Sequence, residues 1–363
     1  MFSERTSVGL DVHARSIVAV GIDDMTGELF RQRLVPTSEV VVEWLRELPG
    51  PVAVAYEAGP TGFGLARALA AAGIRCEVAA PSKLSRAPGE RVKTDAKDAL
   101  HLARLLRRDD VVSVRVPTVS QEGARDLVRA REDARVDLTR TRHRLSKLLL
   151  RHGHVYYGGK AWSGAHDAWL RSIRFDQPGT RAAFEADYES ITMTRARRDQ
   201  LDHAIAALAA DSEFTPIVRR LGCLRGIADL TALGLAVEIG DWHRFTGASI
   251  GAYLGLVPSE YSSGESRRQG GITKAGNTHA RRLLIEAAWH HRPIYRAGAT
   301  MQARWELAPP AARARGHAGN LRLRRRWERL IERKKPGTVA NTAIARELAG
   351  WCWSLATLDE LNE

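Results

Sequence analysis

The chain has 363 residues, of which 44% are hydrophobic and 27% charged, a composition typical of a globular protein with two or three domains. No stretch approaches the roughly 18 apolar residues of a membrane-spanning helix, and the first residues lack the charged and apolar regions of a signal peptide. The formal net charge of +13 predicts a polyanionic partner, most simply nucleic acid.

Three cysteines, Cys76, Cys223 and Cys352, are far apart in the chain. Their odd number and wide spacing argue against a disulfide framework or a zinc knuckle, and predict a reducing, cytoplasmic environment. No GxxxxGK[ST] motif occurs, so nothing indicates ATP hydrolysis.

Residues 6–115 are predicted to form an α/β domain. Apolar runs and helical spacing give strands near 6–13, 16–23, 28–35, 51–57 and 74–80, and helices near 38–48, 62–72 and 94–108. Three antiparallel strands therefore precede an alternation of helix and strand. This order is typical of a ribonuclease-H-like sheet, whereas a doubly wound Rossmann sheet alternates from its first strand.

Four acidic residues lie at predicted strand ends or helix starts: Asp11, Glu57, Asp95 and Asp98. Asp95 and Asp98 are three apart, so a helix places both on one face. Carboxylates from separate elements repel one another unless a cation lies between them. Mg²⁺ takes oxygen ligands, and two-metal phosphoryl transfer uses such a cluster, so we predict a magnesium site. Spacing alone also fits turn, cap and solvated surface residues.

Residues 118–152 are predicted to form one long helix that continues into an aromatic connector at 153–180 and a second helix near 181–211. The apolar seam of the first helix steps through Ala134, Leu138, Thr141, Leu145 and Leu148. Arg and Lys crowd its other faces, which fits either a solvated basic face or an arm that dimerises and contacts phosphates. We predict a helical coiled-coil stalk.

Residues 216–300 are predicted to be mainly helical. The stretch LGCLRGIADLTALGLAVEIGDWHRF predicts helix, glycine turn and helix, which fits a phosphate-binding helix-hairpin-helix-like element or a plain helical hairpin. The tail from 301 is helical and basic, with ten Lys or Arg and two Glu between Arg313 and Lys335. Such a run is either a solvated helix face or a nucleic-acid surface.

A second group of candidates lies in GAYLGLVPSEYSSGESRRQGGITKAGNTHARRLL. The candidate nucleic-acid-binding residues are Arg267, Arg268, Lys274, Arg281 and Arg282. Glycine-rich backbone with nearby cations can cradle a phosphodiester, and a serine held there could attack phosphorus. Residue types alone favour an exposed polar loop and do not choose among Ser259, Ser262, Ser263 and Ser266.

Together these blocks resemble the DEDD-type transposases of insertion-sequence family 110, which are RNA-guided DNA recombinases. The resemblance covers about residues 6–300 and rests on GLDVHARSIVAV, YEAGPTGFGLARAL, KTDAKDALHLARLL, IGDWHRF and YLGLVPSEYSSGESRRQGGITKAGNTHARR. The tail after 300 is not matched. The glycine turn between the two helices predicted in LGCLRGIADLTALGLAVEIGDWHRF has Arg225 and Ala228 where the family has a proline and a second glycine.

The resemblance implies a RuvC-like ribonuclease-H domain that binds Mg²⁺ through Asp11, Glu57, Asp95 and Asp98. It also implies a catalytic serine directly before a glycine, which is Ser263 before Gly264, with Ser262 as the alternative. Family members act on donor and target DNA chosen by a structured non-coding guide RNA, and assemble as homodimers that pair into homotetramers. A prokaryotic, nucleoid-associated protein is expected.

The expected organisation is a RuvC-like domain at 1–117, a helical stalk at 118–215, an α-helical C-terminal transposase domain at 216–300 and a basic tail at 301–363. Two other functions fit the same residues. One is a RuvC-like junction-resolving nuclease, in which metal-bound water attacks DNA and Ser263 only lines a loop. The other is a non-catalytic nucleic-acid-binding protein that works through its basic helices.

Overall fold

A computed structural model of the chain describes residues 4–84, 94–263 and 266–358, except for the side chain of Arg267. The chain divides into two compact units, Met1–Thr118 and Val119–Glu363. Within the described ranges, no helix combines the length and the apolar character needed to cross a membrane.

The first unit is built on a mixed sheet of five strands in the order β3-β2-β1-β4-β5. Its strands are β1 (Thr6–Val12), β2 (Ile17–Asp23), β3 (Leu29–Leu34), β4 (Val52–Glu57) and β5 (Arg75–Ala79), and its helices are α1 (Ser38–Glu47), α2 (Gly64–Ala71) and α3 (Asp95–Arg107). Strands β1 to β3 pair antiparallel, whereas β4 and β5 are parallel to β1. The predicted succession along the chain, three antiparallel strands and then alternating helix and strand, is confirmed and is consistent with a ribonuclease-H-like domain.

The two faces of this sheet differ in the size of their side chains. On one face, Leu10 and Tyr56 pack in a cluster with Leu45 of α1 and Leu69 of α2. The other face presents small residues, Ala53 and Ala55 among them, to Leu102 and Leu106 of α3. Because both faces are covered, β1 and β4 are apolar almost throughout rather than alternating.

Gly9, in the middle of β1, allows α3 to lie directly against the sheet. A Cβ atom on Gly9 would overlap the carbonyl oxygen of Ala99 and lie 2.6 Å from the amide nitrogen of Ala103. Both atoms are backbone, so the clash can be relieved only if the helix moves.

We expect Gly9→Ala to destabilise the first unit by about 1–3 kcal/mol or more, because overpacking displaces the backbone of α3. Thermal unfolding followed by circular dichroism measures this. Gly21→Ala in β2 is the matched control, since its Cβ would meet no heavy atom closer than 3.4 Å. Equal losses in the two variants would contradict the close approach of α3.

The second unit begins with two helices of 33 residues each, α4 (Val119–Arg151) and α6 (Pro178–Ala210). The predicted seam residues of α4 are all buried: Ala134, Leu138, Thr141, Leu145 and Leu148. The connector between the helices contains a helix that the sequence analysis did not predict, α5 (Gly164–Ser172). Ser163 caps it by accepting a hydrogen bond from the amide of His166.

The rest of the second unit is mainly helical. It contains α7 (Thr215–Leu221), α8 (Asp229–Ile239), α9 (Ser249–Tyr253), β6 (Pro258–Ser263), β7 (Ser266–Ile272), α10 (Thr278–Ala288), α11 (Ala299–Glu306), α12 (Pro310–Glu332) and α13 (Gly337–Ala356). The predicted glycine turn between α7 and α8 is present, with Gly226 at a φ of 82°. Strands β6 and β7 pair antiparallel as a hairpin where a polar loop was the favoured expectation.

Candidate metal centre and serine hairpin

The carboxyl ends of β1 and β4 bring two of the predicted acidic residues to the same edge of the sheet. These strands are parallel neighbours, and Leu10 lies opposite Tyr56 in their register. Asp11 and Glu57 directly follow that pair. The two carboxylates therefore start from adjacent strands at the same level of the sheet.

Strand alternation directs Asp11 towards α3. Side chains two apart in a strand point to the same face, and Gly9 faces Ala99 of α3. Helix α3 begins at Asp95, one turn before Ala99, where Thr94 caps it by accepting a hydrogen bond from the amide of Lys97. Asp95 and Asp98 thus occupy the first turn of α3, as predicted.

The structure brings Asp11 and Asp95 together with a histidine. Asp11 Oδ2 lies 3.1 Å from His13 Nε2, and Asp95 Oδ1 lies 3.9 Å from the same nitrogen. One ligand atom from each of the three residues falls within 4.8 Å of the others. The Asp11 side chain is 21% exposed, whereas those of His13 and Asp95 are each about half exposed, at 53% and 52%.

His13 is the member of this cluster that the sequence analysis missed. It follows Asp11 by two residues at the end of β1, and its amide donates to the carbonyl of Ser16 at the turn into β2. A position two residues after a candidate ligand on a strand shares its face, and this spacing was the available signal.

Glu57 and Asp98 lie close by in the fold but outside this group of three. Glu57 is exposed and lines a cavity of about 770 Å³ together with Asp11 and His13. Asp98 is half-buried, one turn along α3 from Asp95. Asp11 is thus near Asp95 of the helix and lines the same cavity as Glu57, and such carboxylates suit a divalent cation because they would otherwise repel one another.

The predicted serine lies in the second unit, on the β6–β7 hairpin. Ser263 is exposed and lies opposite Ser266 in the register of the two strands. The hydroxyl of Ser262, its neighbour, donates to Glu260 Oε1 at 2.9 Å. Ser259 is farther down the hairpin and donates to the carbonyl of Gly271. Gly264, which follows Ser263, lies outside the described residues.

The candidate phosphate-binding residues fall into two groups. Arg268 on β7 and Lys274, just after it, are exposed, and the side chain of Arg267 is outside the described part of the chain. Arg281 instead donates to the carbonyls of Leu254 and Ala275. The Arg282 guanidinium is in ion pairs with Glu132 and Glu286. The structure thus gives Arg281 and Arg282 contacts that hold the protein itself together.

A buried carboxylate supports the segment that follows the hairpin. Glu238, at the end of α8, is fully buried and accepts hydrogen bonds from Arg129 of α4 at 2.8 Å and from Asn277 at 2.7 Å. His279 Nδ1 lies 3.1 Å from the same carboxylate. Burial alone would raise the pKa of Glu238, but the bonds from Arg129, His279 and Asn277 hold that pKa well below its ordinary value.

Asn277 links this carboxylate to α10. Its side-chain oxygen caps the helix by accepting from the amide of Ala280 at 2.9 Å, while its amide nitrogen donates to Glu238. The preceding turn contains Lys274 at a φ of 55° and Gly276 at a φ of 72°. Glu238 therefore fixes the point at which the chain leaves β7 and enters α10.

Comparison with known proteins identifies the family to which this chain belongs. Residues 218–306 match the family described as transposase IS116/IS110/IS902, and residues 8–153 match a transposase family named for DEDD and IS110. A relative from Sinorhizobium fredii, named "Putative transposase y4qE", is 37% identical over 96% of this chain and 88% of its own length. The chain belongs to the IS110 family of transposases.

A second relative of the family, the transposase for insertion sequence element IS1533 of Leptospira borgpetersenii, is 28% identical over 90% of this chain and 97% of its own length. The IS110-family chain described here is thus a DNA-processing enzyme. The matched segment 8–153 contains Asp11, Glu57, Asp95 and Asp98, and the matched segment 218–306 contains Ser263. Helices α12 and α13 lie beyond both segments.

Proposed function

We propose that this transposase cuts and rejoins DNA through a phosphoester between Ser263 and DNA, with Mg²⁺ at the acidic cluster and with an RNA that selects the DNA. The observation that carries the proposal is the convergence of Asp11 and Asp95 at one edge of the sheet, with Glu57 lining the same cavity as Asp11. Within a transposase family, carboxylates in this arrangement favour metal-assisted phosphoryl transfer.

The roles of the acidic residues follow from their charge and position. Asp11, Glu57, Asp95 and Asp98 would hold the cation, which supplies neutralising charge at the scissile phosphate. His13 orients the Asp11 carboxylate through their contact at 3.1 Å. The exposure of Asp95 and Glu57 leaves the cluster open to a polymer as bulky as DNA.

Ser263 is the proposed nucleophile. Its exposed hydroxyl attacks phosphorus, so that a serine Oγ–phosphorus bond forms as the bond to the bridging oxygen of the next nucleotide breaks. The serine loses its proton and the leaving oxygen gains one. Reversal of this step on an exchanged strand reseals DNA without ATP, because the ester conserves the bond energy. Arg268 on the hairpin and Lys274 just after it are exposed, and we propose that they hold the phosphate.

The remaining proposals concern organisation and partners. We propose that α4 and α6 form a coiled-coil stalk at 118–215 between a RuvC-like domain at 1–117 and a transposase domain at 216–300, which the basic tail at 301–363 follows.

The net charge of +13 supports binding to both DNA and a structured guide RNA. A homodimer or homotetramer would allow the acidic cluster of one copy to act with the serine of another.

A trapping experiment tests the serine chemistry. End-labelled DNA that spans an element end is incubated with the wild type, Ser263→Ala or Ser262→Ala, and is then resolved under denaturing conditions. We expect a protease-sensitive covalent adduct with the wild type and Ser262→Ala, and none with Ser263→Ala. Loss of the adduct in Ser262→Ala alone would move the nucleophile to Ser262, whose hydroxyl contacts Glu260. Cleavage without any adduct would favour a water-using nuclease.

A further inference from the structure

A basic groove lies between α12, α13 and the segment 247–251, apart from the proposed catalytic residues. The groove has a volume of about 620 Å³. Its lining includes four arginines, one carboxylate and two indoles: Arg315, Arg322, Arg326, Arg346, Glu347, Trp351 and Trp353. Most of this groove is built by helices that lie beyond the segments matched to the transposase families.

The groove is strongly positive even after its internal ion pairs are counted. Its four guanidinium groups face one carboxylate, which leaves a formal net charge of +3 among the lining residues. Glu347 is shared between two of them, with Arg322 Nε at 2.6 Å and Arg326 Nη1 at 2.8 Å. A guanidinium has five N–H donors, so both arginines keep donors for a ligand.

The other two arginines are exposed, and neither forms an ion pair with a carboxylate within the described part of the chain. Arg315 Nε donates to Ser354 Oγ at 2.7 Å, a neutral partner that orients the side chain and leaves its charge intact. Among the residues that the structure describes, Arg346 has no carboxylate partner. A surface with this excess of positive charge attracts anions and raises their local concentration.

The arginines are arranged along a line. Arg315, Arg322 and Arg326 are seven and four residues apart on α12, so they share one face of the helix. At about 1.5 Å per residue they extend over roughly 16 Å, the axial length of about five base pairs at 3.4 Å each. A line of cations fits a backbone with repeated phosphates better than a single small anion.

Close packing of glycines fixes the opposite wall. A Cβ on Gly350 of α13 would lie 3.2 Å from the carbonyl oxygen of Gly247, so the helix and this segment touch through their backbones. A Cβ on Gly251 would lie 3.2 Å from Cγ of Arg346, which shows that the glycine makes room for the arginine stem. Trp353 is held by a hydrogen bond from its indole nitrogen to the carbonyl of Phe245 at 2.9 Å.

We propose that this groove binds the phosphate backbone of duplex DNA. DNA is the polyanion that a transposase handles, and arginine is the side chain best suited to pair with phosphate through two hydrogen bonds. Phosphate contacts of this kind position a duplex without reading its sequence. The proposal rests on membership of the family and not on the serine chemistry, so the two can fail separately.

The test compares two double variants that each remove two positive charges. Arg315→Gln/Arg346→Gln changes the groove, whereas Arg325→Gln/Arg329→Gln changes two exposed arginines on α12 that do not line it. Binding of each protein to a labelled DNA duplex is measured over a series of salt concentrations. We expect the groove variant to bind at least about tenfold more weakly near 0.1 M salt, with a salt slope lowered by roughly two, as loss of two phosphate contacts predicts.

The control variant is expected to change the affinity less than about twofold, because dispersed surface charge contributes little at this ionic strength. Equal weakening in both double variants would overturn the proposal in favour of general charge attraction. A loss confined to a labelled structured RNA, with duplex binding unchanged, would overturn the assignment to DNA.

A third variant tests the proposal even if the double variant Arg315→Gln/Arg346→Gln misfolds. Ser354→Glu adds a carboxylate beside Arg315 and retains every arginine of the groove. It should also weaken duplex binding at least about fivefold, because it repels phosphate and pairs with Arg315. Unchanged duplex binding by a folded Ser354→Glu protein would overturn the proposal.

Discussion

Replacement of Asp11 with asparagine is expected to lower DNA cleavage by at least about 10²-fold, a larger loss than the removal of groups that only support a metal ligand. Asparagine has almost the same shape as aspartate and retains an acceptor for His13, which lies 3.1 Å away. The substitution therefore removes charge from the cluster with little change in packing.

The position of Asp11 explains why its charge should matter most. It is the least exposed member of the group of three, at 21%, and it lies between Glu57 on the neighbouring strand and Asp95 on α3. A charge near several others contributes more when it is shielded from water. Asp98→Asn, one turn farther along α3, is expected to reduce cleavage as well.

Three measurements separate this role from a structural one. Cleavage of element-end DNA gives the activity, circular dichroism reports the fold, and titration calorimetry with Mn²⁺ or Mg²⁺ reports cation binding, which Asp11→Asn should lose. Asp109→Asn is the control, since this carboxylate is 89% exposed and pairs with Arg75 away from the cluster. A folded Asp11→Asn protein with unchanged cleavage would refute the proposed metal site.

The sheet and the acidic residues could be predicted because both depend on local patterns. Burial on both faces makes β1 and β4 nearly continuous apolar runs, and a carboxylate at the end of such a run is conspicuous. Asp95 and Asp98 of α3 are three residues apart, a spacing that places both side chains on one face of a helix. The only local signal for His13 was its two-residue spacing from Asp11, and its approach to Asp95, 82 positions away in sequence, is a tertiary contact.

The hairpin and α5 could not be predicted for the opposite reason. From Glu260 to Ser263 every residue of β6 is exposed, so no buried face produced an alternating pattern. Helix α5 is only nine residues long, and its helical spacing of apolar residues was not recognised within an aromatic segment. Arg281 and Arg282 also make tertiary contacts within the protein, which their charges alone did not predict.

Glu238→Ala is expected to destabilise the second unit by about 3 kcal/mol, the lower end of the range for breaking a buried ion pair. The change leaves Arg129 and Asn277 without the carboxylate that accepts their hydrogen bonds. Because 55% of the Arg129 side chain is exposed, water can solvate its charge, and this lowers the free-energy cost of the substitution. Because the folded pKa of Glu238 lies below its ordinary 4.5, the carboxylate stabilises the fold above that pH. This contribution is lost as the pH falls below about 4.5.

Urea unfolding of the full chain, followed by tryptophan fluorescence, measures this loss, since eight of the nine tryptophans lie in Val119–Glu363. Glu286→Ala is the matched control: its carboxylate pairs with Arg282 but is 57% exposed, so its loss should cost less than about 1 kcal/mol. Glu238→Ala should also reduce adduct formation at Ser263 under conditions where the protein remains folded, because Asn277 no longer fixes the exit from β7. Equal stability of the two variants would show that the buried carboxylate does not hold α8, α4 and α10 together.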